Sequence, residues 1–315
     1  MRTLEELTQV RPEKETLLTI GVFDGIHIGH QALLTQLKNE AKRRNLLSGV
    51  ITFKCHPQRV LYPENKLFWL SDLDTRVYLI KELGIDFVIP LSFTRDISKL
   101  TAREFAQLLK EQLKMRGLII GPDFALGKNR EGDADYLRKL GKEMGFTVED
   151  ISPIISNGEV ISSSAIRNAL AKGDVSKVQR FFGRSYSIRG LVVTGDGRGK
   201  TLGFPTANIE VIPDQALPGD GVYVTLAHVG NESLPSVTNV GIRPTFGGGK
   251  RMVETYIMDY SKDLVGQTLT LELVDKLRDE KRFDNVESLK AQMKEDVQQA
   301  RIVLQNRDSQ QKAQV

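Results

Sequence analysis

The chain of 315 residues has one cysteine, one tryptophan and only four histidines. A lone Cys55 excludes an internal disulfide framework and suits a reducing compartment, so a cytoplasmic location is expected. The opening stretch MRTLEELTQVRPEKE lacks a long apolar run, so neither a secretory signal nor a membrane anchor is expected there. Charge of one sign is not in excess either. Lys and Arg number 44 against 40 Asp and Glu, a net charge of +4. The basic residues are scattered, as in KRR at 42–44, rather than gathered on one face. Solvated helix surfaces account for them, and no nucleic-acid or membrane partner is expected. What is present, 40% hydrophobic and 27% charged residues, is the composition of a globular protein. The length suffices for two domains with separate cores.

Residues 16 to about 172 alternate short apolar runs with segments of helical period. TLLTIGV, GVITF, FVIPL and GLIIG read as buried strands. Between them, Leu33, Leu34, Leu37 and Ala41 share one helical stripe, as do Phe105, Leu108, Leu109 and Leu113 over 102–113. This alternation predicts an α/β fold, a doubly wound parallel sheet with helices on both faces. After Gly183 the pattern changes. SIRGLVV, GVYVTLAHV, SVTNV, MVETYIM and QTLTLELV are short and β-branched, and several alternate in period two, which predicts a small antiparallel barrel or sandwich. Residues 286–304 read as one amphipathic helix, with a frayed polar tail beyond it. Two domains are expected, 1–184 and 185–315.

GVFDGIHIGH at 21–30 follows the first predicted strand and opens a helix, the place where doubly wound sheets bind ligands. Gly21, Gly25 and Gly29 allow close backbone approach, and a helix N-terminus favours phosphate. His27 and His30 at this spacing can donate hydrogen bonds to a phosphoryl group. An inert pair, or a zinc site completed by Cys55 and His56, are the alternatives. ISSSAIRNAL at 161–170 starts a second helix with Ser162, Ser163, Ser164 and Arg167. Capping explains one serine, whereas three hydroxyls and an arginine can hold a triphosphate tail. TFKCHP at 52–57 and GPDFALGKNREGD at 121–133 each follow a predicted strand and reach the same sheet edge.

In the second half, GLVVTGDGRGKTLGFPTANIE at 190–210 fits neither a Walker A loop, since Thr194 stands where glycine is required, nor a dinucleotide fingerprint. A glycine-rich turn with Arg198 and Lys200 remains, able to cradle phosphates, or else a plain hairpin. In an extended PTAN, Thr206 and Asn208 share a face and offer hard oxygens suited to Mg²⁺ with ATP. Glu254 stands alone in an otherwise apolar strand, either as a base or as a salt-bridged structural residue.

GVFDGIHIGH, GPDFALG and ISSSAIR, in that order, resemble the FMN adenylyltransferase half of the bacterial bifunctional riboflavin kinase/FAD synthetases. GRGKTLGFPTAN, GVYV, NVGIRPTF, VETYI and LRDEKRFDNVESLK resemble its riboflavin kinase half. Together the resemblance spans about 16–305. It implies a nucleotidylyl transferase-type sheet domain, then a kinase barrel with a C-terminal helix. It also implies two reactions, phosphorylation of riboflavin to FMN and adenylylation of FMN to FAD with release of pyrophosphate. By this resemblance His27 and His30 would stabilise the α-phosphate, with Gly21, Phe23, Asp24 and Ser162 also at the nucleotide. Ser163, Ser164 and Arg167 would hold the leaving phosphates. His56, Pro57, Asp123 and Phe124 would lie beside FMN. In the kinase half Gly195, Gly199, Lys200 and Gly203 would flank ATP, Thr206 and Asn208 would bind Mg-ATP, and Glu254 would deprotonate the ribityl hydroxyl. Arg278 and Phe283 would belong to a flavin-side loop. Cys55, Leu126, Tyr256, Val265 and Ser164 depart from the usual family residues. ATP, riboflavin and FMN are the implied small-molecule partners, and a weak homo-oligomer is left open. The rival readings are an enzyme keeping one activity, or a flavin- or RNA-binding regulator on an inactive scaffold.

Overall fold

The computed structural model describes residues 2–195, 199, 202–242 and 251–313. Lys200 and Arg198, together with most of the IRPTF stretch, lie outside the described residues. The chain divides into two compact units, Met1–Ser163 and Ser164–Val315.

The four apolar runs become β1 (Thr16–Gly21), β2 (Leu47–Phe53), β3 (Phe87–Leu91) and β4 (Met115–Ile120). A fifth strand, β5 (Thr147–Asp150), is mostly polar and lies at the sheet's edge, and a short hairpin of β6 (Ile155–Ser156) and β7 (Glu159–Val160) follows. The order is β3-β2-β1-β4-β5, and every pairing is parallel. Helices cover the sheet, among them α1 (Arg2–Thr8), α2 (Ile28–Arg43), α3 (Pro57–Leu61), α4 (Leu73–Glu82), α5 (Ala102–Leu113) and α6 (Ala134–Met144). The apolar stripe of α2, Leu33, Leu34, Leu37 and Ala41, is buried against the sheet with Leu17, Val50 and Ile119. Helix α5 starts at a capping box made by Thr101 and Glu104, which satisfies two otherwise unpaired backbone amides. The chain runs outward from β1 to β3 and then returns to β4, so the switch point lies between β1 and β4. Ligands of such sheets bind outside the carboxyl ends of the strands there.

In the second unit, α7 (Ser163–Ala171, whose first residue falls in the first unit) and α8 (Val175–Phe182) precede six strands. These are β8 (Ser187–Val193), β9 (Ala207–Val211), β10 (Gly221–Val229), β11 (Glu232–Ile242), β12 (Arg251–Ile257) and β13 (Thr268–Arg278). They close into a barrel of order β10-β11-β12-β9-β8-β13, antiparallel throughout. Fully buried Thr225, Ser236, Thr238 and Thr255 bond one another through their hydroxyls at 2.7–2.9 Å, which removes the cost of burying them. The final helix, α9, runs over Val286–Ala313. It extends beyond the expected end at 304, and in the added part Arg307 donates to Glu272 of β13 at 2.7 Å.

Candidate active sites

At the carboxyl end of β1 the backbone leaves the common conformations. Phe23, Gly25 and Ile26 all have positive φ, of 51°, 84° and 43°. A β-branched isoleucine in that region is strained, and such strain collects where a ligand is clamped. The Phe23 ring turns inward, 4% exposed, and packs over Gly21 and edge-on to His30 with 5.2 Å between ring centroids. Asp24, 2% exposed, accepts from the Leu70 amide at 3.0 and 3.1 Å and from the Ser71 amide at 3.1 Å. Its backbone carbonyl takes the Ser163 hydroxyl at 3.0 Å, which brings the serine-rich segment onto the glycine loop. Ser162 stands just before α7, while Ser164 and Arg167 fall within the second unit.

His27 is the N-cap of α2. The His30 amide donates to its Nδ1 at 3.3 Å, so the ring proton sits on Nε2. One helix-start amide expected to face a phosphate is therefore occupied by the histidine itself. Gly29 leaves room for this arrangement, because a Cβ there would lie 3.2 Å from the His27 ring. The two imidazoles stack with centroids 3.6 Å apart and 19° between planes. Burial, and secondarily the neighbouring His27, hold the His30 pKa well below the usual 6.5. His30 Nδ1 is buried without a partner. The lowered pKa favours the neutral form of His30, which keeps one ring N–H to donate, beside the Nε2 proton of His27.

A stability prediction follows from this burial. With a folded pKa below the unfolded value, the native state binds fewer protons than the unfolded chain as pH falls through 6.5. The His30 contribution is complete above 6.5 and declines on acidification. Replacing His30 by Gln should flatten the fall in thermal midpoint between neutral pH and about pH 5.5. An unchanged slope would show that His30 is not the group responsible.

Beside this loop lies a cavity of about 790 Å³, whose walls include Gly21, Phe53, His56, Pro57, Asp123 and Phe124. All four residues expected at the flavin (His56, Pro57, Asp123 and Phe124) are thus brought together. His56 caps α3 through Nδ1, accepting from the Gln58 amide at 3.2 Å. Arg130 and Tyr62 line the same space and were not foreseen. The Arg130 guanidinium donates to the Asp123 carbonyl at 2.8 Å, and no pattern in GKNREGD marks that contact. Leu126 forms a wall and pairs its backbone with Gly132. Cys55 is a half-buried free thiol.

The barrel unit carries a second cavity of about 310 Å³ between its outer face and α9. Here strand register assembles the site. Asn208 on β9 lies opposite Glu254 on β12, and Glu254 lies opposite Asn239 on β11. Glu254, Asn239, Thr206 and Gly199 line the cavity. Asn239 was missed by sequence reasoning. The alternation of SVTNV does put it on one face, but pairing with Glu254 depends on a register the sequence does not display. Gly195 packs directly on the Asn208 amide, where any Cβ would overlap it, and Gly203 makes the left-handed turn before PTAN at φ 84°. Replacing Gly195 by Val should therefore displace Asn208 and lower turnover at this site by about tenfold or more. Wild-type turnover in that variant would mean the amide is not part of the machinery.

Tyr256 packs edge-on against Phe204 at 5.3 Å and both line this cavity, whereas Val265 is exposed. Arg278 and Phe283 also line it. The Arg278 guanidinium is bonded twice to Asp296 of α9, at 2.9 and 2.8 Å, and lies 5.8 Å from the Phe283 ring. Its charge thereby joins α9 to the barrel.

A histidine-bearing glycine loop at the switch point of a parallel sheet, and a carboxylate opposite two amides on a barrel, suit a pair of nucleotide-dependent transfer domains. Comparison with known families agrees. Residues 9–165 match the FAD synthetase family and residues 182–304 match the riboflavin kinase family. The chain is 37% identical over 303 residues to the bifunctional riboflavin kinase/FMN adenylyltransferase of Escherichia coli (strain K12), covering 96% of each. It is 36% identical to that of Pseudomonas fluorescens, covering 96% of this chain and 98% of the relative. The chain belongs to the bifunctional riboflavin kinase/FMN adenylyltransferase family. A crystal structure described as a macrolide-efflux protein from Streptococcus pneumoniae has the same fold, with TM-score 0.87, 29% identity, and coverage of 94% of this chain and 96% of that one. Among the described residues no helix is long and apolar enough to cross a membrane.

Proposed function

We propose that the two activities of the family occupy the two sites separately, with the catalytic modules meeting between Arg184 and Ser185. In the barrel unit, Glu254 takes the proton of the riboflavin 5′-hydroxyl, whose oxygen attacks the γ-phosphorus of ATP, giving FMN and ADP. In the sheet unit, a phosphate oxygen of FMN attacks the α-phosphorus of a second ATP, giving FAD and pyrophosphate. The observation that carries this reading is the register setting Glu254 opposite both Asn208 and Asn239, with Glu254 and Asn239 on the cavity wall. A carboxylate set opposite two amides on a cavity wall suits a base.

Thr206 and Asn208 are the oxygen donors for Mg²⁺. One hydroxyl and one amide fit this ion, which takes few protein ligands and completes its shell with phosphates and water. When bound it would neutralise charge on the transferred phosphoryl group. Gly199 flanks the phosphates, with Lys200 assigned there from sequence. In the sheet unit the Nε2 proton of His27 and the His30 ring donate to the α-phosphate, Ser162 stands at the nucleotide and Ser163 holds the leaving phosphates, with Ser164 and Arg167 assigned to those phosphates from sequence. His56, Asp123 and Phe124 receive the flavin. The reading places the enzyme in the cytoplasm, with the single Cys55 in support.

Labelled ATP separates the two steps. With riboflavin as acceptor, label from the γ-position should enter FMN. With FMN as acceptor, label from the α-position should enter FAD while pyrophosphate is released. The α-label failing to reach any flavin would overturn the adenylyl assignment.

A further inference from the structure

The segment from Trp69 to Arg76 belongs to no motif, yet it fastens both loops that form the first site. Asp24 is gripped by the Leu70 and Ser71 amides, and the Gly25 amide donates to the Ser71 hydroxyl at 2.9 Å. Arg76, on α4, is 1% exposed. Its Nη1 donates to the Val22 carbonyl at 2.7 Å, to the Phe53 carbonyl at 3.1 Å and to the Thr52 hydroxyl at 3.3 Å. Val22 follows the last residue of β1 and Phe53 ends β2, and both line the larger cavity. The guanidinium lies 4.4 Å over the Trp69 ring, which in turn sits 5.8 Å from the His56 ring. One buried cation therefore touches the strand ends behind the glycine loop and, through Trp69, the histidine that caps the flavin-side helix.

The arrangement is expensive for stability alone. A buried arginine must be desolvated, and Arg76 Nε has no hydrogen-bond partner among the described residues. Burial pulls its pKa below the ordinary guanidinium range, with Asp24 and Asp72 opposing. An apolar residue of similar length would fill the space without these costs. All three oxygens meet the one nitrogen Nη1, whose two hydrogens serve the Val22 and Phe53 carbonyls best, while the Thr52 hydroxyl at 3.3 Å is the weaker contact and itself donates to the Val22 carbonyl at 3.0 Å.

We propose that Arg76 is a positioning residue for adenylyl transfer, setting the distance between the ends of β1 and β2 on which the histidine loop and the flavin wall are mounted. This rests on the adenylyl-transfer reading of the sheet unit. Arg76 need not touch either substrate. It acts through Val22, Phe53 and Trp69.

The test uses the full chain with Arg76→Lys and Arg76→Met, measuring kcat and KM for FMN adenylylation. Riboflavin phosphorylation by the same preparation reports that the protein is folded, and thermal unfolding reports stability. Misplaced walls should raise the KM for FMN by about tenfold and lower kcat/KM by about 10²-fold in Arg76→Met, with Arg76→Lys intermediate. Kinase turnover should stay at the wild-type value. An unchanged KM for FMN, with activity falling only as the folded fraction falls, would overturn the proposal and leave Arg76 a structural residue. Failure of the wild-type protein to make FAD from FMN would count against the adenylyl reading itself, a separate outcome.

Discussion

Replacing Glu254 by Gln should lower riboflavin phosphorylation by about 10²–10⁴-fold, the range of a lost general base. The substitution keeps the volume and a hydrogen-bonding head, so the strand register with Asn208 and Asn239 is retained. Binding of riboflavin should change little, and the effect should fall on kcat. Supplied with FMN instead of riboflavin, the same variant should form FAD at the wild-type rate, because the sheet unit is untouched. A structural glutamate would give a different pattern, with lower thermal stability and modest, parallel losses in kcat and KM.

The second large effect is expected at His27, where two roles can be separated. His27→Ala removes both the N-cap of α2 and the Nε2 donor. Losing the cap alone costs about 1 kcal/mol of stability. Losing a donor aimed at developing charge costs about 10²–10³ in kcat. His27→Asn supplies a good cap without the second donor, so it should recover the stability but not the FAD-forming activity. Steady-state adenylylation and thermal unfolding of the two variants, measured side by side, check this. Activity returning with the cap would mean that His27 matters only for the helix start. In both variants riboflavin should still be converted to FMN.

Much of the fold was legible in the sequence because burial on two faces produces continuous apolar runs. TLLTIGV, GVITF, FVIPL and GLIIG are all strands of the sheet, and Ala102–Leu113 is a helix over the expected span. TVED was not legible, since an edge strand with half its side chains in solvent has no apolar run to display. Of the first site, spacing alone marked His27 and His30, whereas their stacking and the capping role of His27 depend on the left-handed backbone at Phe23 and Ile26. In the barrel, the PTAN alternation pointed to Asn208 and the lone charge pointed to Glu254. What brings them together is register, which is set by pairing across β9, β12 and β11 rather than by any one strand. Arg76 was hidden for another reason. Nothing in the run LDTRVYLIKE signals a buried charge, and only the fold shows it against three oxygens.

The most direct test of two sites acting in order is a time course on the purified full chain with riboflavin, excess ATP and MgCl₂, with flavins separated by chromatography. FMN should rise first and FAD follow as FMN declines. FAD formation that persists from riboflavin in the Glu254→Gln variant, or no FAD from wild-type protein given FMN, would contradict the account.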